Sequence, residues 1–287
     1  MCIKVYFSKL YRGLLLFIVL ILLGTFIEVN KSKPVSAVPK DSITLPIVMY
    51  HSFLKDSKLQ NDYCISPTVL ENDLKYITSK GYSTVTPKDL VKYVKGKPLP
   101  KKIIMITFDD GFYNNYHYAY PLLKKYNCKA VISPIVSLTE EYSKIDEISA
   151  TYGYCSFDVL KEMQDSGLVE IANHSYDMHY TKGRFGVRQK QGENLQTYEN
   201  NLKNDINKAQ KLLKDNSIKK PLCFTYPYGA ESESTLEIIN SMKFKCTLTC
   251  EEKTNYIYPN KTCLYELGRY NRTSKENSNT FFERICN

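Results

Sequence analysis

A chain of 287 residues, 43% of them hydrophobic and 24% charged, is long enough to bury a sizeable core as one large domain or two small ones, and too apolar to stay disordered. Its formal charge of +9 at pH 7 is concentrated at the start: Lys4, Lys9, Arg12, Lys31 and Lys33 against Glu28 account for +4, leaving +5 from residue 34 onward. That remainder reads as a lysine-rich solvated face with at most an affinity for an anionic envelope surface, and it does not point to nucleic acid.

Behind the basic Lys4, Lys9 and Arg12, Gly13 to Ile27 is a run of fifteen residues without a charge, the arrangement of an export signal rather than of a globular helix. Val35-Ser36-Ala37 has the small residues of a cleavage site, but Glu28, Lys31 and Lys33 intervene. Fifteen apolar residues also fall short of the roughly 20 that span a bilayer, unless flanking residues extend the run. The expectation is an exported chain, with 1–29 a signal peptide or a retained membrane anchor, 30–42 a polar linker, and 43–287 one domain.

From there short apolar runs alternate with amphipathic stretches, the pattern of βα units. Strands are expected at Leu45–Tyr50, Ser83–Val85, Ile103–Phe108, Ala130–Val136, Val169–Asn173, Leu222–Tyr226 and Lys245–Thr249. Ser66-Pro67 caps a helix with Leu70, Leu74 and Ile77 on one stripe and Gly81 at its end, and Pro87 opens another. Further helices are expected over Asn114–Tyr126, Phe157–Ser166, Glu193–Asn216 and Glu231–Met242, while Leu138–Tyr154 and Tyr180–Gly192 read as long loops. Seven strands with crossover helices suggest a barrel. Of nine cysteines, Cys2 lies in the leader and eight remain. Disulfides and buried free thiols both stay open, Cys250 with Cys263 being the favoured pair across a turn-rich loop.

Two segments carry chemistry. Ile103 to Phe108 is a buried strand, so Asp109 and Asp110 arrive at its end, and Gly111 lets the backbone bend. Val169 to Asn173 is a second strand, followed directly by His174-Ser-Tyr-Asp-Met-His179. Histidines five apart are turned about 140° from each other on a helix, so a bend must bring them together. With one carboxylate they make a two-His, one-carboxylate set with positions left open, for which zinc is the first expectation. Asp177 reads as a solvent-facing loop residue, and His117, among tyrosines in a helical stretch, as a packing residue.

Thr107-Phe-Asp-Asp-Gly111, His174-Ser-x-x-x-His179 and Phe224-Thr-Tyr-Pro-Tyr-Gly229 together resemble the first three motifs of the polysaccharide deacetylases, the NodB-homology family (carbohydrate esterase family 4). Met49-Tyr50-His51 is similar to the subgroup of exported deacetylases that act on poly-N-acetylglucosamine. The resemblance spans roughly residues 43–275. It implies a distorted (β/α) barrel of about seven strands and hydrolytic removal of N-acetyl groups from a glycan such as poly-N-acetylglucosamine or peptidoglycan, with 43–287 as the catalytic domain. An O-acetyl esterase and a non-catalytic glycan binder on the same scaffold are the alternatives. By motif position it makes Asp110, His174 and His179 the ligands of a divalent metal, Asp109 the base, and the backbone N–H of Tyr228 the oxyanion donor. No histidine follows His179, so the permuted subgroup implies His51 as the acid. Where the family often has an arginine, two residues before the proline, this chain has Thr225, and Arg269 in Leu267-Gly-Arg-Tyr270 is the expected substitute or else a structural ion pair. Membrane association, if any, is expected through the N-terminal segment.

Overall fold

The computed structural model describes residues 39–286. The leader over 1–29, the candidate cleavage site Val35-Ser36-Ala37 and Cys2 lie outside the described residues. Among those described, no helix is long and apolar enough to cross a membrane.

The run Ile103–Phe108 is buried throughout, as a strand covered on both faces must be, and it anchors a set of parallel strands. These are β1 (Ile47–Tyr50), β2 (Ile103–Asp110), β3 (Ala130–Pro134), β4 (Val169–Ile171), β5 (Cys223–Thr225), β6 (Cys246–Leu248) and β7 (Tyr270–Asn271). β7, β1, β2, β3 and β4 neighbour one another in that order, all parallel. β5 pairs with β6 in the same sense. Single parallel bridges join the two pieces, Asn173 past β4 with Phe224 of β5, and Leu248 of β6 with Leu267 ahead of β7. Ordinary backbone hydrogen bonds run through both joints, Asn173 N–H to Cys223 O at 3.0 Å and Thr249 N–H to Leu267 O at 2.9 Å. The ring therefore closes as a seven-stranded (β/α) barrel, distorted where whole ladders shrink to one bridge.

Alternation along β2 sorts its side chains. Ile103 and Met105 pack with Ile47, Val131, Cys223 and Leu248 in one core cluster, whereas Ile104, Ile106 and Phe108 pack with the surrounding helices in another. Thr107 and Asp109 continue the first series, so Asp109 belongs to the barrel's inner face at its C-terminal mouth. Outside, α1 (Pro67–Ser79) starts as expected, with Ser66 Oγ accepting the Thr68 N–H at 3.0 Å. It buries Leu70, Leu74 and Ile77 together with Asp73, whose carboxylate accepts from Arg272 at 2.9 and 3.0 Å and from Tyr50 at 2.9 Å.

Several expected boundaries move. The third strand stops at Pro134, and Val136 opens a helix, Val136–Tyr142, inside what read as a loop. Its first free N–H groups, on Val136 and Ser137, find the carbonyls of Ser175 and Tyr176 at 3.2 and 2.8 Å, which settles the chain there in place of a longer strand. The helix expected over Asn114–Tyr126 forms without a break, its middle turn, Asn115–Ala119, being π-helical just ahead of Pro121, which has no N–H for an i−4 carbonyl. The Glu231–Met242 helix shortens to Thr235–Ser241, and the chain just ahead of it is tied down by the Ser232 N–H donating to Thr235 Oγ1 at 2.7 Å. Ser83–Thr84 pairs only with the beginning of β2, off the ring, and the ring's seventh member is instead β7, too short for a period-2 signal. Cys250 and Cys263 are unpaired: all eight described cysteines are free thiols, Cys250 Sγ facing Met49 Sδ at 3.8 Å and Cys263 Sγ the Tyr258 carbonyl at 3.4 Å.

Candidate active site

The C-terminal ends of the strands surround a cleft of about 790 Å³, lined among others by His51, Asp109, Asp110, His174, His179 and Tyr228. All of the expected site residues except Arg269 face it, and Arg269 lies directly beneath. β2 delivers two adjacent carboxylates that part company because the backbone turns between them. Asp110 has φ 65° and Gly111 φ 76°, a left-handed pair that a β-strand cannot continue. Gly111 is required on a second ground, since a Cβ there would sit 2.8 Å from the Cβ of Pro134.

Asp109 turns inward and is 2% exposed. Arg269, fully buried, grips it with both arms of the guanidinium, Nη1 to Oδ1 at 2.6 Å and Nη2 to Oδ2 at 2.7 Å. The rest of the guanidinium is also satisfied, Nε donating to Thr249 O at 2.8 Å and Nη1 also to Thr107 Oγ1 at 3.2 Å. Burial pushes the Asp109 carboxyl up, but the charge and hydrogen bonds of Arg269 outweigh it, and the group stays below the ordinary carboxylate range. Thr225, at the position where relatives often carry arginine, is a buried small residue hydrogen-bonded to Ser133 Oγ at 2.8 Å. With threonine at that position, the arginine that meets Asp109 is supplied from the approach to β7.

Asp110 turns the other way. Its Oδ1 lies 3.6 Å from His174 Nε2 and 3.2 Å from His179 Nε2, and one donor atom from each of the three side chains falls within 4.8 Å of the others. His174 and His179 converge by the bend that their spacing demanded. Ser175 has φ 72°, its N–H is held by Asn173 Oδ1 at 2.9 Å, and its Oγ accepts the Met178 N–H at 3.0 Å. The tautomer follows from the partners: His174 Nδ1 is 2.8 Å from the Thr225 carbonyl, which can only accept, so Nδ1 carries the proton and Nε2 presents a lone pair. His179 Nδ1 is 3.0 Å from the Tyr228 hydroxyl, leaving its Nε2 for the same centre. Lone-pair donors aimed at one another with their other faces fixed by hydrogen bonds suit a divalent cation.

His51 stands at the end of β1. Its carbonyl accepts from Asn115 Nδ2 at 2.7 Å, its ring meets Tyr63 edge to face at 5.0 Å, and its buried Nδ1 has no hydrogen-bond partner among the described residues. Burial lowers its pKa, partly opposed by Asp109 and Asp110. Tyr228 sits at φ 58° in a turn fixed by Gly229 N–H to Tyr226 O at 2.8 Å and Ala230 N–H to Pro227 O at 3.0 Å. Its ring stacks on Phe185 at 5.2 Å. Asp177 is exposed, as expected, and His117 is an exposed ring packed edge-on against Tyr118.

Sequence reasoning missed the supports. Asp205, on the helix Leu195–Asp215, accepts the N–H groups of Tyr176 and Asp177 at 2.7 and 2.9 Å and so clamps the bend between the two histidines. Asn114 Oδ1 accepts the Phe53 N–H at 2.9 Å, and with Asn115 it fixes the loop that carries His51. The asparagines follow the Asp-Asp-Gly segment after two intervening residues, a signal within reach; Asp205 lay on a helix whose charges gave none.

Residues 96–247 match the family model of polysaccharide deacetylase. A poly-beta-1,6-N-acetyl-D-glucosamine N-deacetylase of Staphylococcus aureus is 30% identical over 216 residues, 74% of this chain and 69% of that protein. A putative polysaccharide deacetylase of Bacillus subtilis is 28% identical over 72% of this chain and 64% of its own length. Among solved structures, a de-N-acetylase from Aggregatibacter actinomycetemcomitans superposes with a TM-score of 0.71 at 23% identity, over 84% of this chain and 99% of that one. IcaB from Ammonifex degensii does so with 0.64 at 27% identity, over 81% and 93%. With the motif carboxylates and histidines gathered at one barrel mouth and the family model matching more than half of its length, the chain belongs to the polysaccharide deacetylase family.

Proposed function

We propose that the protein is an exported, metal-dependent N-deacetylase of a poly-N-acetylglucosamine glycan, with residues 43–287 as the catalytic domain and the N-terminal segment as export signal or anchor. The observation that carries the reading is the division of labour between adjacent carboxylates, Asp109 held by Arg269 and Asp110 by two histidines. The substrate class is drawn from the similarity to the staphylococcal enzyme.

Asp110, His174 and His179 hold the cation, zinc being the first choice for this donor set. When bound, it polarises the acetyl carbonyl and makes water a nucleophile near neutral pH. Asp109 takes the proton of the attacking water, and Arg269 keeps it ionised and aimed. The Tyr228 backbone N–H, presented by the left-handed turn, donates to the oxygen on which negative charge develops. His51 gives a proton to the departing sugar nitrogen, which would otherwise have to leave as an amide anion.

Acetate release from soluble β-1,6-linked N-acetylglucosamine oligomers tests the reading. Chelator-treated protein should release none, and zinc or cobalt should restore release in step with one metal bound per chain. Full release by metal-free protein would sink the metal assignment, and no release with metal bound would sink the deacetylase. His51→Ala should bind metal normally and lose about 10²- to 10⁴-fold in kcat, the usual contribution of a general acid; a loss under threefold would remove His51 from the reaction.

A further inference from the structure

The end of the barrel away from the cleft carries a charge arrangement that deacetylation does not use. Lysines stand just ahead of four of the seven parallel strands: Lys101 and Lys102 before β2, Lys129 before β3, Lys219 and Lys220 before β5, and Lys245 before β6. Because all seven strands run the same way, these side chains emerge at one pole, opposite the mouth where Asp110 and His174 follow their strands. Lys88 and Lys92, on the helix Pro87–Tyr93, join them. A groove of about 330 Å³ at this pole is lined by Lys88, Lys92, Lys129, Lys219 and Lys220.

The acidic residues of the groove do not cancel this charge. Asp89 is engaged by Lys129 at 2.9 Å. Glu170 accepts the Lys88 backbone N–H at 3.0 Å, and burial raises its carboxyl, so the groove's two carboxylates face five lysines. Asp165 and Asp215, at the ends of helices that finish here, are paired within those helices by Lys161 and Lys211. Lys88, Lys92, Lys219, Lys220 and Lys245 are exposed, and Lys129 alone among these lysines has a carboxylate partner among the described residues.

We infer that this pole docks on an anionic lipid bilayer, holding the cleft away from the membrane. A neutral N-acetylglucosamine polymer offers the lysines nothing, and its deacetylated, cationic product would be repelled; only this clause rests on the proposed function. Charge spread across a whole end of the barrel, without a deep enclosed site, suits a surface rather than a small anion. The described chain also enters at this pole, Asp41 leading through Ile43–Leu45 into the first residue of β1. Lysines close to an acidic leaflet add attraction that fades within a Debye length, so contact and salt sensitivity go together.

The test uses residues 41–287, which contain all seven strands and every core cluster and so fold as a unit. Sedimentation with phosphatidylcholine vesicles, with and without phosphatidylglycerol, gives the affinity. Binding is expected only to the phosphatidylglycerol vesicles and to fall steeply with salt. The variant Lys88→Glu, Lys92→Glu, Lys219→Glu, Lys220→Glu should bind about a hundredfold or more weaker, with unchanged thermal melting and unchanged acetate release from soluble oligomers. Equal binding to both vesicle types, or a variant that binds like the parent, overturns the inference. Preference for a soluble linear polyphosphate over phosphatidylglycerol vesicles also overturns it, in favour of a polyanion site. Failure of acetate release in parent and variant alike would refute the proposed function and leave the vesicle result standing.

Discussion

Asp109→Asn should reduce acetate release by roughly 10³- to 10⁴-fold while one metal per chain is retained, the upper part of the range for removing a general base. The retained metal is the informative half. Asp110, His174 and His179 form their cluster without Asp109, and an amide of the same shape leaves the turn at Asp110 and Gly111 intact. The amide can still accept one hydrogen bond from Arg269, but it carries no charge, so a buried guanidinium that now has its carboxylate at 2.6 Å loses its counter-ion. Breaking a buried pair from one side costs about 3–5 kcal/mol, and the retained hydrogen bond should keep the loss near the lower figure. Metal analysis, a thermal melt and kcat on the same preparation separate the two effects. Activity within tenfold of the parent would mean that Asp109 is not the base.

What could be read beforehand follows from how local each signal is. Asp109, Asp110, His174 and His179 announce themselves because ionisable residues directly after buried strands are costly unless they serve chemistry or find partners. The bend between the histidines was implied by their spacing alone, yet its clamp, Asp205, sits 29 residues from Tyr176 and contacts it only through the fold. The late strand expected around Arg269 was not counted among the seven ring strands, because the two residues of β7 give no alternation to detect. Arg269 was legible only through the family resemblance; its sequence offers an arginine beside a glycine, and the partner lies 160 positions away. Cys250 and Cys263 misled for the complementary reason. Nearness along the chain suggested a bridge, whereas packing turns one towards Met49 and the other back onto Tyr258.

Arg269→Met should cost about 3–5 kcal/mol of stability and most of the activity, and the stability loss should depend on pH in a defined direction. In the parent, Asp109 is held below the ordinary carboxylate range by Arg269 against a burial effect that pushes the other way. A depressed carboxyl stabilises the fold above its unfolded pKa, and that contribution disappears as pH falls through the folded value. Methionine fills much of the arginine's volume but leaves the carboxylate without its partner, so burial then raises Asp109. A raised carboxyl reverses the sign: the variant loses stability as pH climbs through the ordinary carboxylate range and recovers it when Asp109 is protonated. Melts of metal-free parent and variant across the acidic range should therefore diverge towards neutrality and converge in acid. Arg269→Lys separates charge from geometry, because an ammonium keeps the positive charge but cannot match both carboxylate oxygens at once. It should restore most of the stability and little of the kcat if aiming the base is what the fork provides. Parallel pH curves for parent and Arg269→Met would show that the ion pair does not set the ionisation of Asp109, and the role of Arg269 would reduce to packing beneath the cleft.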